Sequence, residues 1–161
     1  MTKRIPAWLA ALALIALPAA AYADGWIIGA GSSTAADGTK QASMGLAFES
    51  HIVAPVSLIV RADYDFAGPA RVYRSAVMGL RLYAPMRIVH PWLEAGVGLG
   101  GNANTSEGGV ARAYSIGASA SAPLGITPFA EARILQIDNT VGASQITEFR
   151  VGGQINLRGG D

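Results

Sequence analysis

The chain has 161 residues, of which 51% are hydrophobic, with twelve basic residues, eleven acidic residues and no cysteine. The near balance of charge excludes the basic surface that nucleic-acid binding requires. The lack of cysteine excludes a disulfide framework and the cysteine-containing zinc sites. After residue 23, no apolar run reaches the 18 residues of a transmembrane helix, so only strands remain as elements that cross a membrane.

The first 23 residues have the three parts of a secretory signal peptide. Lys3 and Arg4 form a positive head, Ala7–Leu17 is an apolar core, and the tripeptide AYA at residues 21–23 is a small-residue cleavage site. We therefore predict a signal peptide at residues 1–23 and one exported domain at residues 24–161. Because Lys3 and Arg4 are the only charged residues of the signal peptide, the domain has ten basic and eleven acidic residues.

Eight strand-like runs follow, and turn signals rich in Gly, Pro, Asn and Asp separate them. The runs are residues 25–32, 40–49, 56–66, 71–83, 88–100, 110–121, 126–137 and 145–158. Their length, their even number and their short connections predict an all-β, antiparallel up-and-down barrel of eight strands. We find no convincing helical period in this domain.

Most of these runs alternate between an apolar and a polar face, as in the last one, where Phe149 and Val151 alternate with Glu148 and Arg150. Several glycines lie on the polar face, where a narrow interior would need small residues. Aromatic residues gather near the strand ends, as they do at membrane interfaces. One predicted aromatic girdle comprises Trp26, Phe48, Trp92 and Phe129, and the other comprises Tyr64, Phe66, Tyr73, Tyr114 and Phe149. We therefore expect the apolar face to point outwards, towards lipid.

The stretch HPWLEAGVGLG at residues 90–100 combines a proline, an aromatic residue and alternate glycines, and TPFAEARI (Thr127–Ile134) has a similar pattern. With the signal peptide and the eight alternating strands, the chain resembles the small outer-membrane β-barrels of Gram-negative bacteria, the group of OmpA-type and OmpX-type barrels. The resemblance implies an outer-membrane location, contact with outer-membrane lipid and folding by the barrel assembly machinery. We expect a monomer.

The connections between the runs are of two alternating kinds. One kind contains Pro55, Pro85 or Pro123, and the other is richer in Asn, Asp, Ser, Thr and Gly. In outer-membrane barrels the short turns are periplasmic and the longer loops extracellular. This rule predicts that both termini are periplasmic.

Residues Gly96, Gly98 and Gly101 match the G-x-G-x-x-G fingerprint of dinucleotide-binding turns. That fingerprint requires a helix after the glycines, but the polar segment NANTSEGG follows here. The glycines are better explained as part of a strand. We predict that Gly96, Gly98 and Gly100 clear space in the lumen for side chains such as Arg81 and Arg133.

Ionisable residues of both signs lie on the predicted inner face, and eight strands enclose a space just wide enough for side chains. Buried charges there must be paired. The predicted lumen network comprises Arg61, Asp63, Asp65, Arg81, Glu94, Glu131, Arg133, Glu148 and Arg150. Asp63 and Asp65 offer two carboxylates to a cation, but Arg61 is expected to neutralise them, so we predict no metal site.

The interpretation is a structural or interaction role in the bacterial envelope, without catalysis and without a cofactor. Three alternatives remain: a narrow gated ion channel of the same fold, a soluble lipocalin-like carrier of apolar ligands, and an outer-membrane lipid-modifying enzyme. An enzyme of that kind needs a histidine and a serine or acid together at the outer rim, where neither His51 nor His90 is expected. The sequence identifies no external partner.

Overall fold

The computed structural model describes residues 25–67, 71–84, 86, 88–103, 108–121, 126–139 and 142–157, so the predicted signal peptide lies outside the described residues. The described residues form eight strands. They are Gly25–Ala35 (β1), Lys40–Val53 (β2), Val56–Ala67 (β3), Arg71–Tyr83 (β4), Val89–Asn102 (β5), Gly108–Ala120 (β6), Ile126–Asn139 (β7) and Gly142–Asn156 (β8). No helix long and apolar enough to cross a membrane occurs in this part of the chain.

Each strand pairs antiparallel with the next, and β1 also pairs with β8, which closes the sheet into a barrel. The predicted eight-stranded up-and-down barrel is therefore confirmed. Because Gly25 pairs with Asn156, the first and last strand ends lie at one rim, which we name the terminal rim. The opposite rim, where β1 ends at Ala35 and β8 begins at Gly142, is named the distal rim.

Several strands are longer than the sequence pattern predicts. β2 continues to Val53, which pairs with Val56 beyond a register shift, and β8 begins at Gly142, which pairs with Asn139. Backbone pairing continues up to the turns because it does not need the alternation of side chains from which the runs were predicted. The connections at both rims are consequently very short, between two and five residues.

The two faces of the barrel wall differ in burial. On the outer face, Leu93 is 57% exposed and Phe149 is 60% exposed, whereas the inward Glu94 is 5% exposed and Glu148 is fully buried. Large apolar side chains thus cover the outside, and charged side chains fill the inside. This is the arrangement of a barrel that lipid surrounds, and the reverse of a soluble barrel with an apolar cavity.

Three residues of the predicted aromatic girdles point into the barrel instead. Trp92 is 2% exposed, Phe129 packs against an inner apolar cluster, and Tyr73 packs against another. Each lies two residues from an inward polar residue on its own strand, so the period of two places it inside. Position near a strand end, on which the girdle prediction relied, does not decide which face a side chain occupies.

Candidate functional site

The centre of the lumen holds a layer of buried charges, which we name the central ionic layer. It contains eight of the nine residues predicted from the sequence, all except Asp65. It also contains Glu49, which was not predicted. Its members are Glu49, Arg61, Asp63, Arg81, Glu94, Glu131, Arg133, Glu148 and Arg150, and each is at most 5% exposed. Glu49 lies on the same inward face of β2 as Gly45 and Ala47, so the period of two was the signal that would have found it.

Arg61 links strands on opposite sides of the barrel. Its guanidinium binds both carboxylate oxygens of Glu131, one of them from Nη2 at 3.0 Å, and its Nη2 also lies 3.3 Å from Glu94. β3 and β7 are not neighbours in the sheet, so this two-pronged pair crosses the lumen. Such fork-to-fork geometry is the strongest form of ion pair between side chains.

Arg81 organises the part of the layer nearest the terminal rim. It is the direct ladder partner of Glu94 and donates to Glu94 Oε2 from Nη2 at 2.7 Å and from Nε at 3.1 Å. Its Nη1 donates to Glu49 at 3.2 Å, and the Tyr83 hydroxyl donates to the same carboxylate at 2.7 Å. The Arg81 guanidinium also lies 3.9 Å from the ring centre of Trp92, a cation–π contact.

Asp63 is bound by two arginines from the other side of the barrel. Arg133 and Arg150 each donate to one of its carboxylate oxygens, and Ser75 donates to it at 3.2 Å. The same two arginines contact Glu148, Arg133 at 3.2 Å and Arg150 at 2.9 Å. Together with the Arg61–Glu131 pair, three carboxylates and three arginines connect β3, β7 and β8 across the lumen. The neutralisation of Asp63 and Asp65 by Arg61 stays a prediction; Arg61 itself forms ion pairs with Glu94 and Glu131.

Two apolar clusters lie on either side of the central ionic layer. The distal cluster, on the side of the distal rim, comprises Val77, Ala111, Ala113, Leu135, Ile137 and Ile146, with Tyr73 packed against it. The terminal cluster comprises Ile27, Ala47 and Ile59, with Phe129 packed against it. The internal cavity between Phe129 and the ionic layer has a volume of about 10 Å³, room for one water at most. The described lumen is therefore filled along most of its length.

The comparisons with known proteins agree with this architecture. No family model matches the sequence, and no curated protein matches it. The fold is similar to the crystal structure of Neisserial surface protein A (NspA), with a TM-score of 0.72, 15% identity, and coverage of 83% of this chain and 96% of that one. It is also similar to the N-terminal β-barrel domain of Pseudomonas aeruginosa OprF, with a TM-score of 0.57, 11% identity, and coverage of 82% and 98%.

The outer membrane enzyme PagL is a third similar structure, with a TM-score of 0.54, 13% identity, and coverage of 82% of this chain and 99% of that one. The chain has the fold of the small eight-stranded outer-membrane β-barrels. Within that fold the proteins include an enzyme, so the fold alone does not decide whether this chain is a catalyst.

Glycines in the outer-membrane barrel fold act differently at different heights of the lumen. A Cβ on Gly45 would lie 2.6 Å from Arg150 Nη1 and would also touch Asp63, so this glycine makes room for the ionic layer. A Cβ on Gly96 would lie 2.7 Å from the Val77 side chain and 2.9 Å from a backbone oxygen of β4.

Gly98 faces the backbone of β4, where a Cβ would overlap the carbonyl oxygen of Ala76, and Gly100 faces Ile137. The atoms nearest to a Cβ at these glycines belong to β4, Ile137 and Ala111, and no atom of Arg81 or Arg133 is among them. The glycines of β5 instead permit close approach of β4 and of the distal cluster.

The histidines of this barrel lie at the terminal rim. His90 Nε2 is 2.9 Å from the hydroxyl of Ser121 in an exposed position, a pairing that the sequence did not indicate because the two residues are 31 positions apart. His51 stacks with Tyr83 at 6.2 Å between ring centres. Among the described residues, no three His, Cys, Asp or Glu residues are grouped to hold a metal ion.

Proposed function

We propose that the protein is a closed outer-membrane β-barrel with a structural or interaction role in the envelope, and that it conducts no ions. The apolar outer face supports the membrane location, and outer-membrane lipid is the partner that this face requires. In the proposed topology both termini are periplasmic. The connections at either rim are too short to form the long loops on which an extracellular binding surface would depend.

The observation that carries this proposal is that two consecutive layers, the central ionic layer and the distal cluster, fill the lumen. An ion would first have to displace ion pairs that cross the lumen, such as Arg61–Glu131. It would then have to pass the distal cluster, in which Leu135, Ile137 and Ile146 are at most 1% exposed. A gate made only of exchanging ion pairs would not open this second, apolar layer, which disfavours the gated channel.

The conductance of the purified protein in planar lipid bilayers tests the closed barrel. Wild-type protein is expected to show no stepwise conductance. Arg81→Ala is expected to remain closed, because the distal cluster is unchanged, whereas Leu135→Ala combined with Ile137→Ala removes that second layer. Stepwise openings of the wild-type protein that Arg81→Ala alters would favour the channel.

The proposed topology is testable because the chain has no cysteine. Ala36→Cys places a thiol in the β1–β2 turn at the distal rim, and Ala54→Cys places one in the β2–β3 turn at the terminal rim. A membrane-impermeant maleimide added to intact cells should label only Ala36→Cys. Labelling of Ala54→Cys alone would reverse the topology.

Ester hydrolysis is a second candidate function, which the contact between His90 and Ser121 favours. His90 Nε2 lies at the distance from the Ser121 hydroxyl at which a base activates a nucleophile. Among the described residues, however, His90 has no carboxylate partner to orient it. Under the structural proposal, wild-type protein releases no p-nitrophenol from acyl esters. Activity that His90→Ala and Ser121→Ala both abolish, and that His51→Ala retains, would establish the enzyme.

A further inference from the structure

The described side chains that face the lumen carry more negative than positive charge. Four arginines oppose six carboxylates, so the described buried side chains carry a formal charge of −2. The arginines are Arg61, Arg81, Arg133 and Arg150, and the carboxylates are Glu49, Asp63, Asp65, Glu94, Glu131 and Glu148. Charge buried in so narrow a space needs compensation, because uncompensated charge in a protein interior is strongly unfavourable.

The imbalance is concentrated at Asp65. Every other carboxylate of the set lies within 4.0 Å of an arginine nitrogen, whereas Asp65 forms no such pair with a described arginine. Asp65 is nevertheless only 1% exposed, so water outside the barrel does not solvate its carboxylate. The described side chains of Arg133 and Arg150 bind Asp63 and Glu148 instead.

Unpartnered polar atoms surround this carboxylate. Among the described residues, both amide atoms of Gln41 have no hydrogen-bond partner, and Asp65 and the hydroxyl of Ser33 have none besides each other. Glu148 Oε1 also lacks a hydrogen bond, although Arg150 Nη2 is 2.9 Å away. These four residues are all at least nine-tenths buried. Buried polar groups in native proteins are nearly always satisfied, so a bound water or ion is expected to complete the hydrogen bonds of this group.

The barrel register brings these four side chains to one patch of the inner wall. Glu148 pairs with Ser33, and Ser33 pairs with Gln41, so β8, β1 and β2 present three inward side chains in one row. Asp65 on β3 pairs with Ser43 and is therefore diagonal to Gln41. Cross-strand neighbours of this kind lie about 5 to 8 Å apart at their Cα or Cβ atoms, within reach of a common ligand between their ends.

The patch lies next to an opening of the barrel. A cavity of about 180 Å³ at the distal rim is lined by residues that include Ala35, Tyr73 and Ile146. Tyr73 is the ladder partner of Asp65, Ala35 is two residues beyond Ser33, and Ile146 is two residues before Glu148. The cavity is therefore adjacent to the patch on the side of the distal rim.

We propose that the lumen binds one calcium ion at this patch, with oxygen ligands from Ser33, Gln41, Asp65 and Glu148. The excess of two negative charges among the described buried side chains equals the charge of one divalent cation. Calcium accepts carboxylate, amide, hydroxyl and water oxygens in irregular geometry, whereas magnesium requires a near-ideal octahedron and keeps its waters. The two acidic ligands are too few for a site built from carboxylates alone, so the neutral oxygens of Ser33 and Gln41 complete it. This inference does not depend on the proposed function.

The experiment measures the thermal unfolding midpoint of the full chain, purified from outer membranes in a maltoside detergent, with calcium, with magnesium and with EGTA. Calcium is expected to raise the midpoint of the wild type, because a ligand that binds only the folded state stabilises it. Asp65→Asn should unfold in EGTA at the wild-type midpoint or above it, because it removes an uncompensated buried charge. Its apparent calcium affinity should fall by about tenfold or more, since ligand charge sets that affinity.

Two further variants separate the site from other effects of calcium. Gln41→Leu removes a neutral ligand and should weaken calcium binding less than Asp65→Asn does. Asp138→Asn removes an exposed carboxylate on the outer face near the same rim and should keep the full calcium shift. Equal midpoints of the wild type in calcium and EGTA would overturn the proposal, as would a full calcium shift in Asp65→Asn.

Arg71 begins β4 beside this patch, where it pairs with Ala67. Arg71→Gln is expected to retain the calcium shift of the wild type. A calcium shift that appears only in Arg71→Gln would mean that the arginine, and not a metal ion, compensates Asp65, and would overturn the proposal. An equal rise of the midpoint with magnesium would overturn the assignment to calcium.

Discussion

The central ionic layer and the distal cluster fill a lumen of the same width by opposite means, and β7 contributes to both. Arg133 and Leu135 are consecutive inward residues of this strand, and both are at most 1% exposed. Arg133 binds carboxylates on β3 and β8, so its energy depends on the geometry of the whole barrel. Leu135 packs among apolar neighbours, whose attraction has no fixed direction. The central ionic layer therefore fixes how strands on opposite sides of the barrel face each other, and the distal cluster seals the lumen.

Gly98→Leu should break this arrangement most completely. Even a Cβ at Gly98 would overlap the carbonyl oxygen of Ala76, so β4 and β5 would have to separate beside the distal cluster. We expect no folded barrel, measured as loss of the heat-modifiable band on gels of unboiled samples. Ala95→Leu, on the outer face of the same strand, should fold. A Gly98→Leu protein that folds like the wild type would show that the two strands do not approach this closely.

Arg133→Ala tests the central ionic layer. Removing one partner of a buried ion pair leaves charge uncompensated, and we expect the free energy of unfolding to fall by about 3 to 5 kcal/mol. Urea unfolding in detergent micelles measures this loss. Arg133→Met keeps most of the side-chain volume without the charge, so it should also be destabilised if the charge is what matters. Wild-type stability of both variants would refute a stabilising role for these pairs.

Leu135→Ala tests the distal cluster at the next inward position. It should lower the free energy of unfolding by about 2 to 4 kcal/mol through lost burial and the cavity left behind. Leu99→Ala, which shortens a side chain that is 45% exposed on the outer face, is the matched control and should cost less. Equal losses for the two leucines would indicate that the lumen at this height is not packed.

The alternation within each strand predicts which residues point into the lumen for most of the barrel. It predicts only some of the ion pairs that these residues form. The ladder partners Arg81–Glu94 and Arg133–Glu148 follow from the register of adjacent strands. The contacts across the lumen, such as Arg61–Glu131, depend on the tilt and stagger of the closed barrel, which the pattern of a single strand does not contain.

The distal cluster was missed for a different reason. In β7 the polar Gln136 points outwards, and the apolar Leu135 and Ile137 point inwards. The polarity of the faces is thus inverted here, although the period of two continues without interruption from Glu131. The expectation of a polar lumen assigned the inner face by the polarity of its residues. The backbone of a strand places side chains on the two faces by position alone, with a period of two.

The smallest effect is expected for an ion pair on the outer face. Arg112 Nη1 lies 2.8 Å from Asp138 Oδ2, but the two side chains are 51% and 42% exposed. Because Asp138 lies at the distal rim, water and salt at the membrane surface screen this exposed pair, and its side chains lose freedom when they pair, so Arg112→Ala should change the free energy of unfolding by about 0.5 kcal/mol. The same urea titration, run beside Arg133→Ala, compares an exposed and a buried arginine in one barrel. A loss for Arg112→Ala as large as that for Arg133→Ala would mean that burial in the lumen is not what makes the central pairs important.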